Sequence, residues 1–265
     1  MIVVAKIGSS SLTTDAGHVD REAVAKMCHE VAALRAGGHR VVVVTSGAIA
    51  AGLPALDIER PRDAVTLQAI SAVGQSRLMA VYDAELARHG LVGGQVLLAP
   101  LDFMIRQQYL HARGTLDRLL DLGVVPVVNE NDAIADDEIR FGDNDRIAAL
   151  VAHLVNADVL VMLTDAEGLY TADPRTDESA SLIEEIVEVD QVLEAAAGGT
   201  GSERGSGGMA SKLAAAKIAS WSGVRAVIAR ADRPDVLTDA VAGEPIGTSF
   251  PAHVRSLGAR KLWIA

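Results

Sequence analysis

The sequence predicts an α/β protein with a mostly parallel sheet that helices cover on both faces. Short apolar runs, often β-branched, alternate with longer segments of helical periodicity, and this alternation is typical of right-handed βαβ units. Hydrophobic residues make up 49% of the 265 residues but aromatic residues only 3%. The core must therefore consist of alanine, valine, leucine and isoleucine, which are typical of buried parallel strands and the helices against them.

Six segments are predicted to be strands because each is a short apolar run rich in β-branched residues. They are residues 2–7, 41–45, 95–99, 124–128, 158–164 and 225–229. Pro126 counts against the fourth of them, since proline has no N–H to donate to a sheet ladder.

Two helices can be predicted together with their apolar faces. Residues 20–35 begin at Asp20, a candidate N-cap, and stop at Gly37 and Gly38. The apolar face of this helix consists of Val24, Met27, Val31 and Leu34. Residues 143–155 form the second helix, whose apolar stripe consists of Ile147, Leu150, Val151, Leu154 and Val155. Turn signals dominate residues 165–185, which predicts a hairpin or a long loop over the sheet.

The composition disfavours several classes of function. A formal net charge of -11 counts against binding to a nucleic-acid backbone, which needs a basic protein face. The single cysteine, Cys28, excludes an intrachain disulfide, fits a reducing compartment and sits in an apolar helical pattern typical of a core position. No apolar run approaches the roughly 20 residues of a membrane span, and the opening MIVVAK predicts a core strand instead of a signal peptide. We therefore expect a cytoplasmic protein with neither a membrane nor a nucleic-acid partner.

Four of the six predicted strands end in polar or glycine-rich residues. These ends are residues 6–11 (KIGSSS), 45–48 (TSGA), 129–132 (NEND) and 164–168 (TDAEG). The carboxyl ends of parallel strands meet at one edge of a sheet, where α/β proteins bind their ligands. Each stretch alone also fits an ordinary turn or helix cap, but the four together predict a ligand site.

The stretch GSERGSGGMASKL, residues 201–213, predicts a phosphate-binding loop. Its glycines let backbone N–H groups turn toward an anion, and Lys212 follows where a helix is expected to begin. The spacing is not that of a Walker A loop, and residues 205–210 match only the weak G-x-G-x-x-A pattern, without a preceding first strand. A mobile linker is the alternative interpretation. Zinc and hydrolase chemistry fit less well, because the chain has neither an H-E-x-x-H motif nor a G-x-S-x-G elbow.

Taken together, six motifs resemble those of the glutamate 5-kinases, a branch of the amino acid kinase family. They are KIGSS (6–10), TSGAIAAG (45–52), NENDAI (129–134), FGDNDRIAALVA (141–152), LTDAEGLYTADPR (163–175) and GGMASK (207–212). The match runs in order from Lys6 to about Phe250, and GDND with NENDAI is its most specific part. The resemblance implies a three-layer αβα sandwich that uses ATP and Mg²⁺ to phosphorylate the side-chain carboxylate of L-glutamate, the first step of proline synthesis.

The resemblance also implies roles for individual residues. Lys6 and Lys212 match the lysines that stabilise the transferring phosphoryl group, and Asp145 matches the aspartate that holds these lysines. The positions that match glutamate-binding residues are Ser46, Asp132 and Asn144. The positions that match ATP-binding residues are Lys6, Thr164, Asp165, Ser206, Gly207, Gly208, Met209, Ala210, Ser211 and Lys212. No protein ligand of Mg²⁺ is assigned, because Asp145 either touches the ion or orients the lysines.

By the same resemblance, residues 1–250 form the kinase domain and residues 251–265 a C-terminal tail. Many family members continue into a PUA domain, which would start near Ala265, so the chain is either a naturally short form or part of a longer protein. Ser206 stands where threonine is usual and keeps the hydroxyl group. The resemblance further implies a homo-oligomer, a dimer or a tetramer, that proline inhibits at a site overlapping the glutamate site.

Two rival functions are considered beside this one. The chain either phosphorylates a related acid, such as acetylglutamate, aspartate or a phosphonate, or it is an amino-acid or nucleotide sensor without turnover. A sensor would be expected to lose Lys6, Lys212 or Asp145, and all three are present.

Overall fold

The structure, a computed structural model, describes residues 1–14, 16–134, 144–172, 174, 176–187 and 208–253. Within these residues a single sheet of 7 strands forms the centre of the protein. The strands are β1 (Ile2–Ile7), β2 (Arg40–Val44), β3 (Gly93–Leu98), β4 (Val125–Glu130), β5 (Val159–Thr164), β6 (Arg225–Arg230) and β7 (Thr248–Phe250).

The helices of the described residues connect these strands. They are α1 (Ser9–Leu12), α2 (Arg21–Ala36), α3 (Ala48–Leu56), α4 (Ala64–Arg88), α5 (Arg106–Asp121), α6 (Asn144–Leu154), α7 (Met209–Trp221) and α8 (Val236–Ala242). Two short 3₁₀ helices cover Pro100–Phe103 and Asp132–Ile134. In this described part of the chain, no helix is both long enough and apolar enough to cross a membrane.

The sheet has the strand order β3-β4-β2-β1-β5-β6-β7, and every neighbouring pair is parallel except β6 with β7. Successive side chains of a strand point to opposite faces, so Val3 and Val4 of β1 enter different core clusters. Val4 packs in the cluster of α5, α6 and α7, whereas Val3 packs in the cluster of α2, α4 and α8. The predicted three-layer αβα sandwich is therefore confirmed.

All six predicted strands are present, with ends that differ from the predicted ones by no more than two residues. Pro126 does lie inside β4. The N–H of Val125 donates to the carbonyl oxygen of Val92, on the β3 side of the strand. The nitrogen of the next residue, Pro126, therefore faces the other neighbouring strand, β2. Pairing with β2 begins only at Val127, and the missing N–H of Pro126 therefore breaks no bond of the ladder. The short strand β7 was not among the predicted strands.

The predicted helix at residues 20–35 is confirmed as α2. The Asp20 carboxylate accepts hydrogen bonds from the N–H groups of Glu22 and Ala23, which caps the helix as expected. The chain leaves the helix through Gly38, whose φ of 80° is a left-handed conformation that suits glycine. All four residues of the predicted apolar face are buried, and so is Cys28.

The second predicted helix is confirmed from Asn144 onward as α6, while Asp143 lies outside the described residues. Its predicted apolar stripe is buried in full. In the segment 165–185, Tyr170 and Leu182 form an antiparallel bridge, and Ile183 donates its N–H to the carbonyl of Leu169. These contacts confirm a hairpin-like loop in the described part of residues 165–185.

Helices α3 and α4 pack so closely that only glycine fits at their crossing. A Cβ on Gly74 would lie 1.8 Å from the carbonyl oxygen of Ala48, and one on Gly52 would lie 2.2 Å from that of Ile70. Such distances are well inside van der Waals contact, so a side chain at either position would force the helices apart. This crossing places α4 beside the start of α3, where β2 ends.

Candidate active site

The polar strand ends predicted to form a site lie next to one another. They belong to β4, β2, β1 and β5, which are consecutive in the sheet and parallel. The two strands with plainer ends, β3 and β6, flank this group. The strand order therefore gathers the polar residues at one edge of the sheet, as the sequence predicts.

A buried carboxylate joins two lysines at this edge. Asp145, in the first turn of α6, forms an ion pair with Lys6 of β1 through Oδ1 and with Lys212 of α7 through Oδ2, the second at 3.2 Å. The relative exposures are 1% for Asp145, 3% for Lys6 and 5% for Lys212. The structure therefore brings together the three predicted catalytic residues from three separate elements.

The charge state of Asp145 follows from its neighbours. Burial alone would raise the pKa of this carboxyl, but the ammonium groups of Lys6 and Lys212 and hydrogen bonds from Lys6 and Ser211 lower it, from 3.8 to about 2. The carboxylate is thus ionised at neutral pH, and it holds two positive charges in place with one negative charge.

The start of α7 is tied to the same carboxylate. The Ser211 hydroxyl lies 2.7 Å from Asp145 Oδ2 and 2.8 Å from the carbonyl oxygen of Gly208, and its single proton can be donated to one of them at a time. On the β1 side, a Cβ on Gly8 would lie 3.2 Å from the Lys6 ammonium nitrogen, so glycine leaves room for that group. The predicted ATP-binding residues Gly208, Met209 and Ala210 lie at this end of α7.

The predicted glutamate-binding residues share one cavity. It has a volume of about 570 Å³, and Ser46, Asp132 and Asn144 all line it. Asn144 Nδ2 donates a hydrogen bond to Ser46 Oγ at 3.0 Å, which joins the end of β2 to the start of α6. Asn144, in the wall of this cavity, directly precedes on α6 the Asp145 that pairs with the two lysines.

Asp132 begins the 3₁₀ helix that follows β4 and reaches across to α4. Its Oδ2 accepts a hydrogen bond from the Ser71 hydroxyl at 2.5 Å. Burial raises the pKa of this carboxyl, and the hydrogen bond from Ser71 opposes the effect only in part. A partly desolvated carboxylate at the edge of a cavity is suited to bind a cationic group.

Thr164 and Asp165, predicted to bind ATP, line a second cavity of about 500 Å³ beyond the ends of β1, β5 and β6. The Thr164 hydroxyl donates to Asp165 Oδ1 at 3.1 Å. The first cavity has Ser9 in its wall and the second has Ser11, so α1 separates the two. The described part of α7 contributes no residue to the second cavity. Ser206 and Gly207, also predicted to bind ATP, lie outside the described residues.

Sequence reasoning missed the residues of α4 that support the first cavity. Ser71 contacts Asp132, and Gln75 accepts a hydrogen bond from Asn129 at 2.9 Å. Neither residue lies in a recognisable motif. Their sequence shows only that two polar residues stand four positions apart in a largely apolar helix. Such a pair is also typical of a helix face that points to solvent, so it does not indicate a site.

Among the described residues, no set of side chains is suited to bind a metal ion without a substrate. They contain no group of three or more His, Cys, Asp or Glu side chains that could hold a metal ion. Asp145, the acidic side chain at the centre of the site, already faces an ammonium group at each oxygen.

Comparisons with known proteins agree with the geometry. The model of the amino acid kinase family matches residues 1–230. The chain is 48% identical to the glutamate 5-kinase of Burkholderia multivorans and 49% identical to that of Burkholderia mallei, over 99% of this chain and 71% of each relative. A crystal structure of UMP kinase from Bacillus anthracis shares the fold, with a TM-score of 0.63 and 17% identity over 94% of this chain and 95% of that one.

The family match covers most of the chain, and the two relatives named above match it almost from end to end. Each motif that carries the resemblance in the sequence contributes described residues to this edge of the sheet. The chain belongs to the amino acid kinase family and, within it, to the glutamate 5-kinases.

Proposed function

We propose that this chain transfers the γ-phosphoryl group of ATP to the side-chain carboxylate of L-glutamate and so makes γ-glutamyl phosphate, the first step of proline synthesis. The observation that carries the proposal is the buried Asp145 carboxylate paired with Lys6 and Lys212 beside a polar cavity. The names and the high identity of the relatives support the same substrate.

This reaction needs charge stabilisation more than proton transfer. A carboxylate is ionised at neutral pH, so it attacks phosphorus without help from a general base. Negative charge spreads over the oxygens of the transferring phosphoryl group, and positive groups held in position stabilise it. Lys6 and Lys212 approach from β1 and α7, and Asp145 keeps both ammonium groups fixed before the substrates arrive.

Glutamate would occupy the cavity of Ser46, Asp132 and Asn144. Its two carboxylates only accept hydrogen bonds, and the Ser46 hydroxyl and nearby backbone N–H groups are donors. Its α-ammonium needs an anionic partner, and Asp132 is the carboxylate of the three. The acetylated analogue lacks that ammonium, so Asp132 would select the free amino acid.

ATP would bind with its phosphates at the start of α7. The helix N-terminus offers unpaired N–H groups to an anion, and Lys212 lies in the first turn. We assign Thr164 and Asp165 to the nucleotide as well, since they lie at the same edge of the sheet. Mg²⁺ would come as the MgATP complex, bound by phosphate oxygens and water, because the Asp145 oxygens are committed to lysines.

The domain organisation and the partners belong to the same proposal. We propose that the kinase domain extends to residue 250, since β7 completes the sheet and pairs with β6, and that residues 251–265 form a tail. We also propose a homo-oligomer that proline inhibits at the glutamate cavity. A buried, free Cys28 suits a reducing compartment, which supports a cytoplasmic location.

The assignment of glutamate as the substrate is tested by measuring ADP release with a panel of acids. Glutamate, aspartate, N-acetylglutamate and UMP are each supplied with MgATP to the purified chain. We expect ADP with glutamate well above the rate without any acid. Release that is faster with one of the other three compounds would refute the glutamate assignment, and no stimulation by any of them would refute the kinase assignment.

A further inference from the structure

Side-chain amides form a continuous chain of hydrogen bonds from the edge strand β3 to the candidate substrate cavity. Gln75 Nε2 donates to Gln95 Oε1 at 3.2 Å, and Asn129 Nδ2 donates to Gln75 Oε1 at 2.9 Å. Asn144 Nδ2 donates to Asn129 Oδ1 at 3.1 Å and to Ser46 Oγ at 3.0 Å. Gln95 is exposed and the other four are buried.

The direction of this chain is fixed by the backbone. The N–H of Glu130, which can only donate, points at Asn129 Oδ1 at 2.9 Å and at Asn144 Oδ1 at 3.2 Å. Turning either amide over would place an NH₂ group against this N–H. Both asparagine oxygens must therefore face Glu130 N–H, and the Asn129 NH₂ group must face Gln75.

The donor–acceptor direction of this chain determines whether the Ser46 hydroxyl can donate a hydrogen bond to a ligand. Asn144 donates one amide proton to Asn129 and the other to Ser46 Oγ, so the serine oxygen accepts. The Ser46 proton has no acceptor among the described residues, and Ser46 lines the cavity. The hydroxyl therefore presents a donor to a ligand in the cavity, which matches a carboxylate, an acceptor without protons at neutral pH.

We propose that Gln75 is a positioning residue, which holds Asn129 and Asn144 so that the Ser46 hydroxyl proton is directed at a carboxylate of the substrate. Gln75 touches no substrate in this account and acts through the two asparagines. Without an oxygen at position 75, the buried Asn129 NH₂ loses its acceptor and turns to find another, which loosens Asn144 and Ser46. The inference rests on the proposed glutamate site.

Two variants of similar size separate the hydrogen bond from packing. Gln75→Met removes the acceptor and keeps the volume, whereas Gln75→Glu keeps an oxygen facing Asn129 in either protonation state. We expect Gln75→Met to raise the KM for glutamate about five- to tenfold, as for the loss of one hydrogen bond, with the KM for ATP unchanged. Gln75→Glu should restore most of the loss. Gln107→Met, the same change at an exposed position of α5, controls for the added methionine.

Three results would overturn the inference. They are an unchanged glutamate KM in Gln75→Met, an equal loss in Gln75→Glu, or equal rises in the KM for glutamate and for ATP that accompany a lower melting temperature. The side-chain amide NMR signals of asparagine-labelled protein give a readout without activity. Those of Asn129 and Asn144 should shift and exchange faster with solvent in Gln75→Met but not in Gln75→Glu. If the parent chain does not use glutamate, the proposed function fails, and these signals still decide whether Gln75 positions the amides.

Discussion

Lys212 Nζ lies 3.2 Å from Asp145 Oδ2, although the two residues are 67 positions apart in the chain. The other oxygen of the same carboxylate pairs with Lys6, so one buried side chain links β1, α6 and α7. Each lysine is held by a charge that neither substrate supplies. In the proposed mechanism the site is consequently arranged before ATP or glutamate binds, which is the condition for effective electrostatic stabilisation of a transition state.

Replacing Asp145 by asparagine should destabilise the fold in a way that depends on pH. At neutral pH the variant leaves two buried ammonium groups without their counter-charge, and we expect a loss of about 3–5 kcal/mol in the free energy of unfolding. The pKa of Asp145 is lowered from 3.8 to about 2, so its stabilising contribution is complete above the higher value and is lost as the pH falls through the lower one. Urea unfolding at neutral and acidic pH should therefore show that the difference in the free energy of unfolding between parent and variant narrows toward about pH 2. A gap that is constant with pH would contradict the assigned charge state.

Lys212→Met should mainly slow the chemical step. Loss of one positive group held in position lowers kcat by roughly 10²–10³ in comparable sites, while backbone N–H groups still bind the ATP phosphates. Lys217→Met is a matched control, because Lys217 lies five residues further along α7 with its ammonium 4.9 Å from the Trp221 ring centre. Steady-state kinetics should show a normal kcat for the control. A near-normal kcat for Lys212→Met would refute its role.

Asp132 should determine glutamate binding and its dependence on pH. Removing a charge-assisted bond to the α-ammonium, in Asp132→Ala, should raise the KM for glutamate about tenfold to a hundredfold, with the KM for ATP unchanged. Burial raises the pKa of Asp132, so this carboxylate is protonated at a higher pH than an ordinary one. On acidification the parent should therefore lose glutamate affinity at a higher pH than it would if the pKa of Asp132 were unshifted. Asp132→Asn should lack this acid-side rise in KM.

A structural role for Asp132 predicts a different result. Ser71→Ala removes the hydrogen bond between Ser71 and Asp132 but keeps the carboxylate charge. If Asp132 only anchors its turn, both variants should lower the melting temperature equally and leave the KM for glutamate intact. We expect Ser71→Ala to affect mainly the melting temperature and Asp132→Ala mainly the KM.

Gly74→Ala should destabilise the protein through the crossing of α3 and α4. The added Cβ would lie 1.8 Å from the Ala48 carbonyl oxygen, and overpacking of this kind costs about 1–3 kcal/mol or more. Gly114→Ala on α5 makes the same change where no atom beyond its chain neighbours and the nearby backbone of its own helix lies within 4 Å of the new Cβ, so helix propensity should stabilise it by up to about 1 kcal/mol. Thermal unfolding of both variants measures the contrast. Equal effects would mean that the helix crossing tolerates a side chain.

The features that could be predicted from the sequence are those that depend on local pattern. The caps of α2 and the apolar runs of β1 and β5 specify their own elements, and the polar strand ends identify the edge where the candidate site lies. The three-residue strand β7 is too short to show periodicity, and it exists only because β6 offers it a free edge. Gln75 could not be assigned either, since its partner Asn129 is 54 residues away and meets it only after the sheet has formed.

Trapping of the product tests the central claim most directly. An acyl phosphate reacts readily with hydroxylamine, so the chain incubated with L-glutamate, MgATP and hydroxylamine should form γ-glutamyl hydroxamate in step with ADP. Lys212→Met should form almost none, and Lys217→Met should match the parent. Hydroxamate formed from N-acetylglutamate or aspartate in preference to glutamate, or ADP released without any hydroxamate, would contradict the account.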